Sequence, residues 1–192
     1  MGYSESANAL PYSFFPSYGS ARRRPVKKLL ITGKPGVGKT TLIKQVAQML
    51  RPFRPVGFYT EEIRKQGQRV GFQLVSFDGQ RRIMSHVDIP GPFRVGRYGV
   101  DVEGFERSLG SLPFTGASHV VIDEIGKMEC LSEQFQRLVT AILDRDVTCI
   151  ATIALRGTAF IESVKQRPDV TLFSIDRYNR NSLATVLVQA IQ

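Results

Sequence analysis

The sequence predicts an α/β fold, a mostly parallel sheet covered by helices on both faces and interrupted by an antiparallel β-meander. Three observations predict it. An apolar run at residues 27–32 meets a glycine-rich turn and then a helical pattern; residues 55–84 hold runs of β-formers separated by turn residues; and from residue 119 onward strand and helix patterns alternate to the end. Strands that alternate with helices imply parallel pairing and a sheet buried on both faces. At 192 residues the chain fits one core.

Residues 1–24, MGYSESANALPYSFFPSYGSARRR, show neither a helical nor an alternating period and end in three arginines. They read as a disordered basic tail ahead of a single domain over 25–192. Lys27-Lys28-Leu29-Leu30-Ile31-Thr32 reads as a buried strand. Leu42, Ile43, Val46, Ala47 and Leu50 then recur at helical spacing until Pro52 stops the run. Residues 56–63 and 69–77, joined by Lys-Gln-Gly-Gln, and residues 81–84 after Asp78-Gly79 form the meander. Glycine and proline dominate residues 90–99, which predicts a loop, and Asp101 stands where it would cap a short helix carrying Phe105 and Leu109.

The remaining elements are a strand at 119–123, a helix from a Ser132 cap, a strand at 147–153, a helix near 158–166, a strand at 170–175 and a terminal helix. Apolar stripes at Phe135, Leu138, Val139, Ile142 and Leu143, and at Leu183, Val186, Leu187, Ala190 and Ile191, give the two longer helices one buried face each.

Composition excludes several classes. With 42% hydrophobic and 22% charged residues the chain is neither low-complexity nor disordered overall. No run approaches the roughly 18 apolar residues of a membrane helix, and the first thirty residues lack the apolar stretch of a secretory signal. Neither a membrane span nor export is expected, and the expected setting is a cytoplasmic monomer. Cys130 and Cys149 are too few and too far apart for a disulfide framework or a zinc site, and read as buried, reduced thiols. Twenty-six basic against seventeen acidic residues give +9, which favours polyanionic partners. Arg22, Arg23, Arg24, Lys27 and Lys28 less Glu5 supply +4 of that, so nucleic acid is a possible partner that the overall charge does not indicate.

Gly33-Lys34-Pro35-Gly36-Val37-Gly38-Lys39-Thr40 matches G-x-x-x-x-G-K-[ST] between a predicted strand and a predicted helix. Four fixed positions arise by chance in such a chain at on the order of 1%. The glycines permit a tight turn whose N–H groups converge on phosphate oxygens, and the following helix adds its positive end. Lys39 would bridge the β and γ phosphates, Thr40 would place its hydroxyl on Mg²⁺, and Thr41 would donate to the α phosphate. This pattern gives the predicted fold its specific form, the three-layer α/β/α architecture of P-loop NTPases.

A second strand, His119-Val120-Val121-Ile122, would deliver Asp123 to the sheet's carboxyl edge, where ligands bind in open α/β sheets. There Asp123 would hold Mg²⁺, directly or through water, and Glu124 would orient or deprotonate the attacking water. Glu129 competes for the role of base but reads as a solvated loop carboxylate. Arg64, Arg94, Arg97, Arg156 and Arg180 are candidates for stabilising the transferring phosphoryl group, with residues 94–98 in a loop suited to a lid; the sequence selects none. Phe58-Tyr59-Thr60-Glu61-Glu62 fits either substrate contact or sheet packing, and His86 and His119 lack metal-ligand spacing and read as structural.

The phosphate-loop string through Thr41-Leu42-Ile43, Gly57-Phe58-Tyr59-Thr60-Glu61-Glu62, Arg94-Val95-Gly96-Arg97-Tyr98, Ile122-Asp123-Glu124-Ile125-Gly126-Lys127-Met128-Glu129 and Asn179-Arg180-Asn181 together resemble the thermophile-type nucleoside-triphosphatase family, whose animal counterpart is called cancer-related nucleoside-triphosphatase. The resemblance spans residues 27–192, and its Asp-Glu-Ile-Gly-Lys-Met-Glu segment is more specific than the phosphate loop. It implies hydrolysis of the terminal phosphate of ATP, GTP and other nucleoside triphosphates with broad base tolerance, diphosphates less well. It also implies two nucleotide-binding segments, Gly33 to Thr40 and His119 to Gly126, the latter comprising His119, Val120, Val121, Ile122, Asp123, Glu124, Ile125 and Gly126. Lys34, at a loop position often apolar or proline, and Asp176-Arg177-Tyr178 depart from the family pattern without removing a group the mechanism needs. Two other functions stay open on the residues alone: a nucleoside or nucleotide kinase, and a nucleotide-gated switch or nucleic-acid-binding module with slow turnover.

Overall fold

The computed structural model describes residues 27–191, so the proposed basic tail over 1–24 lies outside the described residues. Nine strands form one sheet: β1 (Lys28–Thr32), β2 (Val56–Lys65), β3 (Gln68–Ser76), β4 (Arg81–His86), β5 (Arg94–Val95), β6 (Tyr98–Val100), β7 (His119–Ile125), β8 (Thr148–Ile153) and β9 (Val170–Ser174). Their order is β5-β6-β4-β3-β2-β7-β8-β1-β9. From β2 through β7, β8 and β1 to β9 every pairing is parallel, and the meander from β2 outward is antiparallel.

Alternation along the parallel strands separates two apolar layers. Leu29 and Ile31 of β1, Val121 of β7 and Ile150 of β8 face α1 (Lys39–Met49) and α5 (Leu183–Ile191). Leu30, Val120, Ile122 and Ala151 face the opposite way, toward a cluster that takes in α2 (Val102–Ser111), α3 (Glu133–Asp144) and α4 (Ala159–Lys165). Helices thus cover both faces of the parallel half. The predicted caps are present, with Asp101 accepting from the Gly104 N–H and Ser132 from the Phe135 N–H.

The segment predicted as a loop at 90–99 contains a small hairpin instead. β5 and β6 pair with each other, and β6 adds to β4 through Ser85 and His86. Strands of two and three residues are shorter than any window in which alternation can be counted, so only their turn glycines stood out in the sequence. The pairing of β2 with β7 has a simpler steric origin. Gly57 lies at φ 147°, and a Cβ there would stand 1.8 Å from the Val121 carbonyl oxygen, so only glycine lets the two strands approach.

Candidate active site

β1 ends in the glycine-rich turn and β7 ends in Asp123 and Glu124; with β8 between them and all three parallel, both ends open on the same edge of the sheet. Gly36 and Gly38 take φ of 75° and 110°, a left-handed backbone that bends the chain back before α1 begins at Lys39. Lys34, Pro35 and Gly36 are exposed along the turn, Val37 is half-buried, and Thr41 is exposed on the first turn of α1. The Lys39 ammonium reaches back over the turn, donating to the Gly33 carbonyl at 3.2 Å and lying 3.8 Å from Glu124 Oε2.

Asp123 is 1% exposed, and its carboxylate is held by hydroxyls from three elements. Thr40 donates to Oδ2 at 2.6 Å, Thr152 of β8 donates to Oδ1 at 2.8 Å, and Thr60 of β2 stands 3.5 Å from Oδ2. A buried carboxylate needs such partners to remain charged. Thr152 and Thr60 were not selected from the sequence. A lone hydroxyl in the apolar strand Cys149-Ile150-Ala151-Thr152-Ile153 was the signal available for the first.

Burial pushes the Glu124 carboxyl above the ordinary carboxylate range, Lys39 opposes this, and Asp123 adds to it. Its affinity for a proton therefore suits a base. Glu129, expected to be solvated, is 5% exposed. Burial pushes it up to about 8 against the pull of its own and the Gly126 N–H groups, with the Glu124 and Asp123 charges adding to the rise. The short helical turn Glu129–Leu131 directly after β7 folds this side chain inward.

Within the second implied nucleotide-binding segment, Val120, Val121 and Ile122 lie inside the sheet at 1% exposure or less, and His119 begins β7 at its amino end, stacked on Phe53. Ile125 and Gly126 are buried just past the acidic pair. Phe58 belongs to the core, Tyr59 lies against Phe77, and Glu61 and Glu62 are held by ion pairs, with Lys44 and Arg81 on the first and Arg64 and Arg69 on the second. Only Thr60 of this segment touches the acidic pair.

The lid expected from Arg94 and Arg97 is a hairpin on the outer edge, with six strands between β5 and β1. At roughly 4.8 Å per strand that is over 30 Å of sheet. Arg94 donates to the Arg97 carbonyl at 2.8 Å, and Arg97 donates to the Arg69 carbonyl. Arg64 is engaged by Glu62 and the Gly67 carbonyl. Arg156 and Arg180 sit on the loops that follow β8 and β9, the two strands flanking β1.

Thr40 and Asp123 present hard oxygen donors beside the phosphate loop, and among the described residues no cluster of three or more His, Cys, Asp or Glu could hold a metal alone. This donor set fits Mg²⁺, which takes one or two carboxylates and completes its shell with water and substrate phosphates. Cys130 and Cys149 are buried and free, their thiols pushed up to about 12 by burial, and take no part in the site. No helix among the described residues is long and apolar enough to cross a membrane.

Comparison with known proteins agrees with this geometry. A family model described as NTPase matches residues 28–188. The nucleoside-triphosphatase THEP1 of Thermotoga sp. (strain RQ2) is 43% identical over 169 residues, covering 86% of this chain and 95% of that protein. The crystal structure of THEP1 from Aquifex aeolicus superposes with a TM-score of 0.74 at 33% identity, over 86% of this chain and 99% of that one. The solution structure of a human cancer-related nucleoside triphosphatase gives 0.75 at 36% identity, over 87% and 98%.

Proposed function

The chain belongs to the NTPase family and hydrolyses nucleoside triphosphates, and we propose that it does so with Mg²⁺ and with broad tolerance of the base, taking ATP, GTP and other triphosphates and diphosphates less well. One observation carries the mechanism: the Thr40 hydroxyl and the Asp123 carboxylate meet at 2.6 Å beside the loop, with Lys39 and Glu124 adjoining them. Thr40 and Asp123 would hold the metal, which would supply neutralisation of the charge on the phosphates. The amides of Gly33, Lys34, Pro35, Gly36, Val37 and Gly38 in so far as each bears an N–H, which Pro35 does not, line the triphosphate with Lys39. Thr41 donates to the α phosphate.

Glu124 receives the proton of the attacking water. Its raised proton affinity favours that transfer, and the Lys39 ammonium, 3.8 Å away, holds the carboxylate beside the phosphate loop. Arg156 or Arg180 supplies the guanidinium that stabilises the transferring group, because their loops leave the strands flanking β1 at the reacting edge. Base tolerance is supported by the loop after β9. Asp176 and Asn179 spend their side chains on the loop's own backbone, and the ring of Tyr178, 78% exposed, offers a face to any base. The buried, free thiols support a reducing, cytoplasmic setting.

Glu124→Gln tests this assignment. The variant should bind nucleotide as the wild type does while kcat falls roughly 10²-fold or more. Unchanged phosphate release in the absence of any acceptor would remove Glu124 from the mechanism.

A further inference from the structure

A sizeable concavity among the described residues lies away from the phosphate loop. It is a groove of about 660 Å³ between the flank of α1, the first residues of β2 and the turn that follows β3, and no residue from 33 to 40 lines it. The sheet face is open there because α1 and α5 cover the sheet mainly from β7 to β9, and only the flank of α1 reaches Tyr59 and Phe77. Its volume falls in the range of small-molecule sites, roughly 300–1,000 Å³.

The lining is chemically divided. Arg51 and Arg54 enter from the turn at the foot of α1, and among the described residues neither guanidinium has a carboxylate or hydrogen-bond partner. Of the arginines along the meander, Arg64, Arg69 and Arg81 are matched with acids, and Arg94 and Arg97 donate to backbone carbonyls. Tyr59 and Phe77 form an aromatic floor, ring centroids 6.0 Å apart and tilted by 37°. Gln48 and Asp78 add an amide and a carboxylate at the walls. Lys44 lies over the Tyr59 ring at 4.2 Å, but its charge is already answered by Glu61 at 2.8 Å. Two unanswered positive charges, aromatic faces and hydrogen-bonding groups of both kinds in one concavity match a molecule that joins a phosphate to a hydroxylated sugar and a flat heteroaromatic ring.

We propose that this groove is a second nucleotide site, separate from the hydrolytic one, that takes a nucleoside monophosphate or diphosphate. Arg51 and Arg54 bind its phosphate, Tyr59 and Phe77 take the base, and Gln48 and Asp78 contact base edge and sugar. Arg51 is separated from α1, whose first residues are Lys39 and Thr40, by Leu50 alone. The site stands on its own residues and does not depend on the hydrolytic mechanism.

Calorimetric titration of the protein with AMP and with ADP tests it, using Arg51→Ala/Arg54→Ala, Lys39→Ala and the wild type. ADP should bind the wild type at two sites, Lys39→Ala chiefly at the groove, and the arginine double variant only at the loop. AMP affinity should fall at least tenfold in the double variant, and an Arg51→Lys/Arg54→Lys variant should recover part of it. AMP should also bind the wild type at least tenfold more tightly than inorganic phosphate or adenosine alone. Equal AMP affinity in the wild type and a folded double variant would overturn the proposal. So would a wild type that binds inorganic phosphate as well as AMP, since that would make the groove a bare anion patch. Loss of hydrolysis in Lys39→Ala with groove binding intact keeps the two sites distinguishable.

Discussion

Glu129→Gln should abolish a pH dependence of stability that the buried carboxyl imposes on the wild type. In the folded chain this group titrates at about 8, against an ordinary value of 4.5, because burial disfavours its charged form. Between those two values the folded state binds a proton that the unfolded chain has released, so stability is complete below pH 4.5 and declines as pH rises toward 8. At ~1.4 kcal/mol per pH unit the loss accumulates to about 5 kcal/mol, which water entry and local relaxation reduce to roughly 2–5 kcal/mol. The glutamine side chain would mimic the neutral acid at every pH, so the variant's curve should lack this slope. Urea unfolding at intervals from pH 5 to pH 9, with a chelator present, measures the difference, and the other titrating groups cancel between the two proteins. The variant should match the wild type near pH 5 and exceed it at pH 9. Parallel curves would refute the assignment of a neutral, interior Glu129. Turnover supplies a second readout: Glu129→Gln should stay within severalfold of the wild type at pH 7, unlike Glu124→Gln.

Lys39→Ala should weaken triphosphate binding and turnover together, read from Kd and kcat/KM in parallel. Thr152→Val removes the 2.8 Å bond to Asp123 Oδ1 and leaves a buried carboxylate oxygen unanswered, at a cost of about 1–3 kcal/mol in chemical denaturation. Gly57→Ala drives a Cβ to within 1.8 Å of a backbone oxygen at a left-handed φ and should cost about 3 kcal/mol or more, measured as a fall in Tm or in soluble yield. Arg156→Ala and Arg180→Ala should divide the catalytic arginine's role, one of them lowering kcat at least tenfold, while Arg97→Ala leaves kcat unchanged; a large effect from Arg97 alone would return the lid to consideration.

What could be read from the sequence was local. The phosphate loop, the apolar strand leading to Asp123, the Ser132 and Asp101 caps and the alternating strands and helices each declare themselves within about a dozen residues, and the structure contains all of them. What was not legible depends on partners distant in the chain. Lys28 counted toward the basic amino-terminal charge, yet it is 5% exposed and donates to the Ile142, Arg145 and Val147 carbonyls, in the last turn of α3 and just after it. Those acceptors lie 114 or more positions away, and no pattern around Lys28 announces them. The burial of Glu129 likewise depends on how the turn after β7 folds back on Gly126, where a Cβ would sit 2.7 Å from Glu129 Oε2.

The two oxygens of Asp123 have different duties, and the three threonines show why a buried carboxylate can serve as a ligand at all. Oδ1 is fixed by Thr152, from a strand held between β7 and β1, with Thr152 itself paired to Ile31 of β1. Oδ2 is met by Thr40, at the start of α1, with Thr60 at the limit of a hydrogen bond. A divalent ion held by Thr40 and Asp123 would take the place of the 2.6 Å hydrogen bond between them, and Thr152 would go on fixing the carboxylate from the strand side. The strand side of the site is therefore preorganised and the loop side is the part that adjusts. Substitution at Thr152 should accordingly loosen metal affinity without removing a ligand, whereas substitution at Thr40 removes one.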